Sequence, residues 1–320
     1  MRVLIIGGGG FVGQKIAHRL AERKTMRGQA ITHLALADLN APAPMDAPFE
    51  VSCHATDIAD RSSVNTLFET KPDVIFHLAA IVSGQAEAEF DVGMMINMMG
   101  SLNVFEAARA LGTCPVLVFS SSCAVYGGEI PEQIEDWTQN NPQTSYGAQK
   151  AAAELFVTDY SRKGFFDGRG PRLPTVTIRP GKANAAASSF MSSIFREPLQ
   201  GESAICPVDP DYEVWYASPR VTVENLIRTA EVKAEDLGEQ RCFAMPGKVA
   251  SIGEMIECMR RVAGDEPVNR IVWEKDQRII DIVSGWRPLI NPQKALKLGL
   301  TTDDTFEDNV RYFLEDDIRR

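Results

Sequence analysis

The chain has 320 residues, 44% of them hydrophobic and 24% charged, which suits one large α/β unit or two closely joined ones in a soluble globular protein. Its formal net charge is −10, from 43 acidic against 33 basic residues. That balance argues against nucleic acid or an anionic membrane as the main partner, and leaves room for a small anionic substrate held by a few local arginines. The cysteines (Cys53, Cys114, Cys123, Cys206, Cys242, Cys258) show no Cys-x-x-Cys spacing and read as reduced, mostly buried thiols of a cytoplasmic protein. His18, His33, His54 and His77 are isolated, so no metal is expected. The N-terminal apolar run, residues 3–6, is too short for a signal peptide, and no stretch is long enough for a membrane span.

Residues 3–6 read as a buried parallel strand. Gly7, Gly10 and Gly13 follow in a G-x-x-G-x-x-G pattern, and residues 14–24 have helical periodicity with Ile16, Ala17 and Leu20 on one face. Strand, glycine turn and helix are the context of a dinucleotide fingerprint, in which the backbone approaches a pyrophosphate at a helix N-terminus. Phe11 and Val12 belong to that turn. A second strand at 31–37 ends at Asp38, placed to hydrogen-bond the adenosine ribose and to repel a 2′-phosphate, so NAD is expected over NADP. A third strand at 50–54 is followed by Asp57 and Ile58, where an adenine would lie. Residues 62–69 read as helix. A fourth strand, 73–80, runs into Leu78, Ala79 and Ala80, small enough at the alanines for a cofactor to pass the backbone.

Ser83 and Gln85 form a polar turn, and residues 86–112 read as one helix in which Asn97 is a polar residue among methionines. A fifth strand at 115–119 leads to Ser122. Residues 145–163 form a long helix carrying Tyr146 and Lys150, which point the same way because i and i+4 share a face. An ammonium beside a phenol favours the phenolate, so Tyr146 is expected to fall toward working pH. With a serine hydroxyl nearby, this is equipment for moving a proton on or off an alcohol oxygen. An ordinary surface pair is the competing reading, and the N-terminal fingerprint argues against it. A sixth strand is expected at 173–179, ending at Arg179-Pro180-Gly181. The strand–helix alternation up to about residue 180 calls for a Rossmann-like, doubly wound parallel sheet, residues 1–180, with a smaller C-terminal lobe, residues 181–320, that binds substrate and is interleaved with the sheet. Helices are expected at 221–237, 251–262, 291–298 and 305–314.

The glycine turn, Asp38, His77-Leu78-Ala79-Ala80, Asn97, Ser121-Ser122-Cys123-Ala124-Val125-Tyr126-Gly127, Tyr146…Lys150 and Arg179-Pro180-Gly181 together resemble the extended short-chain dehydrogenase/reductases, the NAD-dependent epimerase/dehydratase family. The resemblance covers nearly the whole chain. It implies that Tyr146 is the acid/base, that Lys150 lowers its pKa and binds the nicotinamide ribose, that Ser122 holds the substrate oxygen and that Asn97 orders a proton relay. It implies cofactor contacts at Pro180 as well, and a homodimer through the helices at about 86–112 and 145–163. Ile6 stands where the family often has threonine. Dehydratases of the family place Asp-Glu directly after the Ser/Thr, where this chain has Cys123 and Ala124, so water elimination lacks its acid and base. The runs at 81–87, 142–147, 179–189 and 214–220 resemble a sugar-acid branch of the family. That implies oxidation of the C2 hydroxyl of a four-carbon aldonate, with Ser83, Gln85, Asn184, Ser188 and Arg220 as candidate carboxylate donors and Lys182 a weaker one. Trp215 and Tyr216 are candidates to close the pocket, or to pack the lobe. A nucleotide-sugar 4-epimerase and a non-catalytic NAD-sensing protein are the alternatives.

Overall fold

The computed structural model describes residues 1–182, 187–286 and 288–318. Its centre is a parallel sheet of β1 (Arg2–Ile6), β2 (His33–Asp38), β3 (Glu50–Ala55), β4 (Val74–His77), β5 (Val116–Phe119), β6 (Asp167–Leu173) and β7 (Cys242–Ala244). These lie in the spatial order β7-β6-β5-β4-β1-β2-β3. The central strands are apolar at nearly every position (RVLII, VIFH, VLVF) because both faces of the sheet are covered. The packed helices are α1 (Phe11–Arg23), α2 (Arg61–Phe68), α3 (Ser101–Ala110), α4 (Ser145–Arg162) and α5 (Pro219–Glu231). Ile16, Leu20, Val223, Leu226 and Ile227 of α1 and α5 bury one face, and Val64, Leu67, Val104, Phe105, Ala153 and Val157 of α2, α3 and α4 bury the other. The chain leaves β1 toward β2 on one side and returns through β4 on the other. The strand order therefore reverses between β1 and β4, and the crevice at the carboxyl ends of those strands is where such a sheet takes a ligand.

The second half of the chain is shared between two places. α5 and β7 complete the sheet layer. The helices Phe190–Leu199, Ile252–Ala263 and Phe306–Phe313 surround a separate core, in which Phe306 stacks 4.7 Å from Phe195 and 5.2 Å from Tyr216.

Two expectations need correction. The sixth strand is Asp167–Leu173, not 173–179; Thr175–Val176 instead pairs with Glu213–Ala217 in the lobe. Buried arginines hide the strand in the sequence. Arg169 is 0% exposed, and its Nη1 donates to the carbonyls of Thr229 (2.6 Å) and Ala230 (2.9 Å) while Nη2 donates to Asp167. Charge at a core position is tolerated because both terminal nitrogens are paired, although Nε is left without a partner. The single helix expected over 86–112 is broken into Ser83–Ala88, Phe90–Gly93, a wide π-helical turn at Met94–Gly100, and α3. The wide turn buries Asn97 and Gly100, and a Cβ on Gly100 would come within 2.8 Å of Ile58.

His77 ends β4 fully buried against Phe105 and Phe119, with Nε2 2.9 Å from the Ser101 hydroxyl. Burial, reinforced by the charge of Lys150, lowers its pKa from 6.5 to about 3. Between these values the unfolded chain takes a proton that the folded chain refuses, so stability falls as pH drops through the window. The unfolding free energy of wild type should converge on that of His77→Gln as pH is lowered from 7 to 4 in urea titrations. A difference that stays constant with pH would contradict this.

Candidate active site

The glycine turn is shaped by close approach. Gly7 has φ +92°, and a Cβ there would sit 2.7 Å from the amide nitrogen of Ala79. A Cβ on Gly13 would sit 2.2 Å from the carbonyl oxygen of Gly7. The turn therefore packs α1 against the end of β4 only if both positions lack side chains. Gly10 caps α1 without a side-chain acceptor, which leaves the first-turn amides facing the crevice. Asp38 at the end of β2 accepts from the amides of Gly9 (3.0 Å) and Leu39 (2.8 Å), so its carboxylate is fixed beside the turn. Phe11, Val12, Leu78 and Ala80 line the crevice. Asp57 is exposed and accepts from Ala59 N, while Ile58 is buried under Gly100. Pro180 is half-buried beside Arg179. These residues fit a dinucleotide: free helix-terminal amides for a pyrophosphate and an anchored acid for a ribose.

Ser122, Tyr146 and Lys150 line one cleft of about 260 Å³, with Ser83, Arg179, Ser188 and Trp286 in its wall. Ser121–Ser122 leaves β5 and pairs onto β6, with Leu173 opposite Ser122. The Ser122 hydroxyl accepts from Ala124 N at 3.1 Å, which fixes its rotamer. Tyr146 sits in the first turn of α4, whose cap Thr144 accepts from Gly147 N at 3.1 Å. The helix start touches the serine turn directly: a Cβ on Gly147 would lie 2.1 Å from the carbonyl oxygen of Ala124. This contact brings Tyr146 to Ser122, whose hydroxyl is near enough to pull the phenol pKa down. Lys150 donates to the carbonyl oxygen of Ser120 at 2.8 Å, and its ammonium stands 4.6 Å over the Phe119 ring and 5.7 Å over the Tyr146 ring.

The electrostatics run against the sequence expectation. Burial outweighs the Ser122 contact and pushes Tyr146 up to about 12. Burial also takes Lys150 down to about 7, with Glu154 pulling it back up. Desolvation disfavours both charged forms, so the chain's own groups hold a neutral phenol beside an ammonium that gives up its proton near neutrality.

Other sequence candidates fall elsewhere. Asn97 is buried, and its Oδ1 accepts from Ile81 N (2.9 Å) while Nδ2 donates to Gln149 Oε1 (2.8 Å). It pins the turn after β4 rather than facing the cleft. Gln85 donates to Glu89 and is not in the cleft wall. Arg220 is corrected outright: its guanidinium pairs with Asp316 (2.6 Å) and Glu315 (2.9 Å) and stacks on Tyr312, on the outer side of α5. The acidic stretch 315–317 holds it there by charge. Tyr216 and Trp215 are buried outside this cleft, and Lys182 is exposed. Asn184 lies outside the described residues. Arg179 and Trp286 were missed as lining residues. Arg179 belongs to the run Arg179-Pro180-Gly181 that carries the family resemblance, whereas nothing local in the sequence links Trp286 to the cleft.

Residues 3–215 match the NAD dependent epimerase/dehydratase family. The chain belongs to this family. D-erythronate dehydrogenase of Cupriavidus necator is 46% identical over 99% of this chain and 98% of its own length. D-erythronate dehydrogenase of Haemophilus influenzae is 40% identical over 99% and 100%. The crystal structure of the nucleoside-diphosphate-sugar epimerase from Agrobacterium tumefaciens superposes with a TM-score of 0.94 at 44% identity, over 99% of this chain and 94% of that one. The protein is an NAD-dependent dehydrogenase of this family.

Gly147→Ala should drive Ala124 away from α4 and lower kcat by at least about 100-fold, the scale of loss expected when reacting groups are misplaced by about 1 Å. Steady-state kinetics beside a thermal melt check this. Near-normal kcat would show that the contact does not set the Ser122–Tyr146 geometry.

Proposed function

We propose that the protein oxidises the C2 hydroxyl of a small sugar acid, D-erythronate foremost, to the 2-oxo acid. The observation that carries this reading is Arg179 in the wall of the same small cleft as Ser122, Tyr146 and Lys150. Burial lowers the pKa of Arg179, and the charge of Arg196, whose Nη1 donates to the Arg179 carbonyl oxygen at 3.2 Å, lowers it further. A cationic wall thinned of water favours a carboxylate. Ser83 and Ser188 add hydroxyls around it. The names of the two curated relatives, each aligned over nearly full length, point to the same substrate. Asp38 and the glycine turn would hold the adenosine half of the cofactor, with Leu78 and Ala80 lining the crevice that leads on to the cleft.

NAD⁺, when bound, would supply the hydride acceptor for C2 and a positive charge to the cleft. Tyr146 takes the hydroxyl proton, Ser122 donates to the developing carbonyl oxygen, and Lys150 supports the phenolate. Because burial raises Tyr146, its base form is scarce at neutral pH and gains about tenfold per pH unit. Oxidation should therefore speed up as pH rises above 7, and reduction should slow. Tyr146→Phe should lower kcat by roughly 100- to 10,000-fold with NAD affinity held. Arg179→Gln should raise KM for the acid by roughly 10- to 100-fold, the equivalent of about 1.5–3 kcal/mol for charge-assisted hydrogen bonds. Reduction of NAD by D-erythronate, with these shifts, is the supporting result; an oxidation rate flat in pH, or an unchanged KM in Arg179→Gln, would count against the assignment.

The epimerase reading draws on the name of the Agrobacterium structure. Conversion of a nucleotide-sugar with no response to any aldonate would favour it.

A homodimer is part of this proposal. Phe90, Val92, Met94, Met95, Met99 and Leu155 are large apolar residues left exposed on the helical stretch 90–100 and on α4. Large apolar residues exposed together on neighbouring helices are the kind of surface a second copy would cover. Met95→Glu combined with Leu155→Glu should shift the sedimentation coefficient to that of a monomer. A cytoplasmic enzyme fits the free cysteines. Among the described residues, no helix is long and apolar enough to cross a membrane.

A further inference from the structure

Beside the catalytic cleft lies a second chamber of about 340 Å³. It is walled by Glu87, Tyr126, Gln143, Thr144, Asp281 and Ile282, among others. The two spaces share Ser83, Ala124 and Trp286. Trp286 also faces a small cavity of about 30 Å³ on its third side. Among the described residues it is the one side chain common to all three spaces.

The position of Trp286 is built rather than incidental. It follows the helix Gln277–Val283, and its amide donates to the carbonyl oxygen of Val283 at 3.0 Å. Val283 is 1% exposed and its carbonyl also accepts from the Tyr212 hydroxyl at 3.1 Å. The indole packs against the core of the C-terminal lobe. The indole, packed on the lobe core and following an anchored backbone turn, thus lines both chambers together with Ser83 and Ala124.

We propose that Trp286 sets the chain length of the acid, confining a four-carbon aldonate to the catalytic cleft and closing off a second chamber suited to the uncharged polyhydroxy tail of a longer one. This rests on the sugar-acid reading above. The chamber offers hydroxyl, amide and carboxylate partners (Ser83, Thr144, Gln143, Glu87, Asp281) for hydroxyl groups. Glu87 and Asp281 disfavour a second carboxylate there, so a six-carbon aldonate fits the chamber and the corresponding dicarboxylate does not.

The test compares kcat/KM for D-erythronate with that for a six-carbon aldonate of the same C2 and C3 configuration. Calorimetry measures binding of both acids to the enzyme–NADH complex. Trp286→Ala should raise the six- to four-carbon ratio at least tenfold in both measurements, and Trp286→Phe should raise it less. Adding Ile282→Trp to Trp286→Ala, which refills the second chamber, should bring the ratio back down. A ratio unchanged by Trp286→Ala, or a rise that Ile282→Trp does not reverse, overturns the role of Trp286 while wild-type turnover of D-erythronate leaves the sugar-acid reading intact. Absence of turnover and binding for every acid overturns both. An equal gain for the six-carbon dicarboxylate overturns the assignment of the chamber to an uncharged tail.

Discussion

The ion pair between Glu154 on α4 and Arg172 on β6 crosses the interior and joins two elements that carry the walls of the Ser122–Tyr146–Lys150 cleft. Arg172 donates from Nε and Nη2 to the two carboxylate oxygens at 2.9 and 2.7 Å, and from Nη1 to the Tyr126 hydroxyl at 2.6 Å. The remaining capacity of Glu154 is taken by Ser121 (2.5 Å) and Asn140 (2.9 Å). Both partners are almost fully buried. A buried pair satisfied on every side is tolerated and rigid, and removing one partner costs about 3–5 kcal/mol. Its geometry fixes several distances at once. It locks α4, hence Tyr146 and Lys150, to β6. It holds Ser121, and so the neighbouring Ser122, against the same carboxylate. It ties Tyr126 into the wall that the second chamber shares. Gly147 then lets the helix close the last gap to Ala124.

This arrangement explains why burial dominates the electrostatics. The same packing that aligns Ser122, Tyr146 and Lys150 strips water from them. The phenol is pushed up to about 12 and the ammonium down to about 7. Glu154 stands one helical turn beyond Lys150 and raises its pKa, yet its charge is largely spent on Arg172. The chain thus supplies these groups with orientation and a dry environment. Arg179 adds a further cation to the cleft, so a protein of net charge −10 carries local positive charge there.

Much of this was legible in the sequence because the signals are local. Gly7, Gly10 and Gly13 between a strand and a helix mark backbone that must approach other backbone. Tyr146 and Lys150 share a helix face by spacing alone. The apolar strands β1, β4 and β5 announce burial on both sides. What escaped depends on partners far along the chain. The strand Asp167–Leu173 looks polar because Arg169 and Arg172 are paid in hydrogen bonds by Thr229, Ala230 and Glu154. The π-helical turn around Asn97 arises from its contacts with Ile81 and Gln149, not from any breaker in the run of methionines. Arg220 has the chemistry of an anion donor, but its partners Glu315 and Asp316 lie nearly a hundred residues along the chain. Trp286 joins Tyr146 in lining one cleft only once the C-terminal lobe has folded back on the sheet.

The most direct test of hydride removal from C2 is isotopic. D-Erythronate deuterated at C2, and separately at C3, would be oxidised with NAD and the reduced cofactor examined by NMR or mass spectrometry. The account predicts deuterium in the nicotinamide ring from the C2-labelled acid and none from the C3-labelled acid, with slower turnover for the C2 label wherever hydride transfer limits the rate. Label arriving from C3, or reduced cofactor that carries no deuterium from C2, would contradict it.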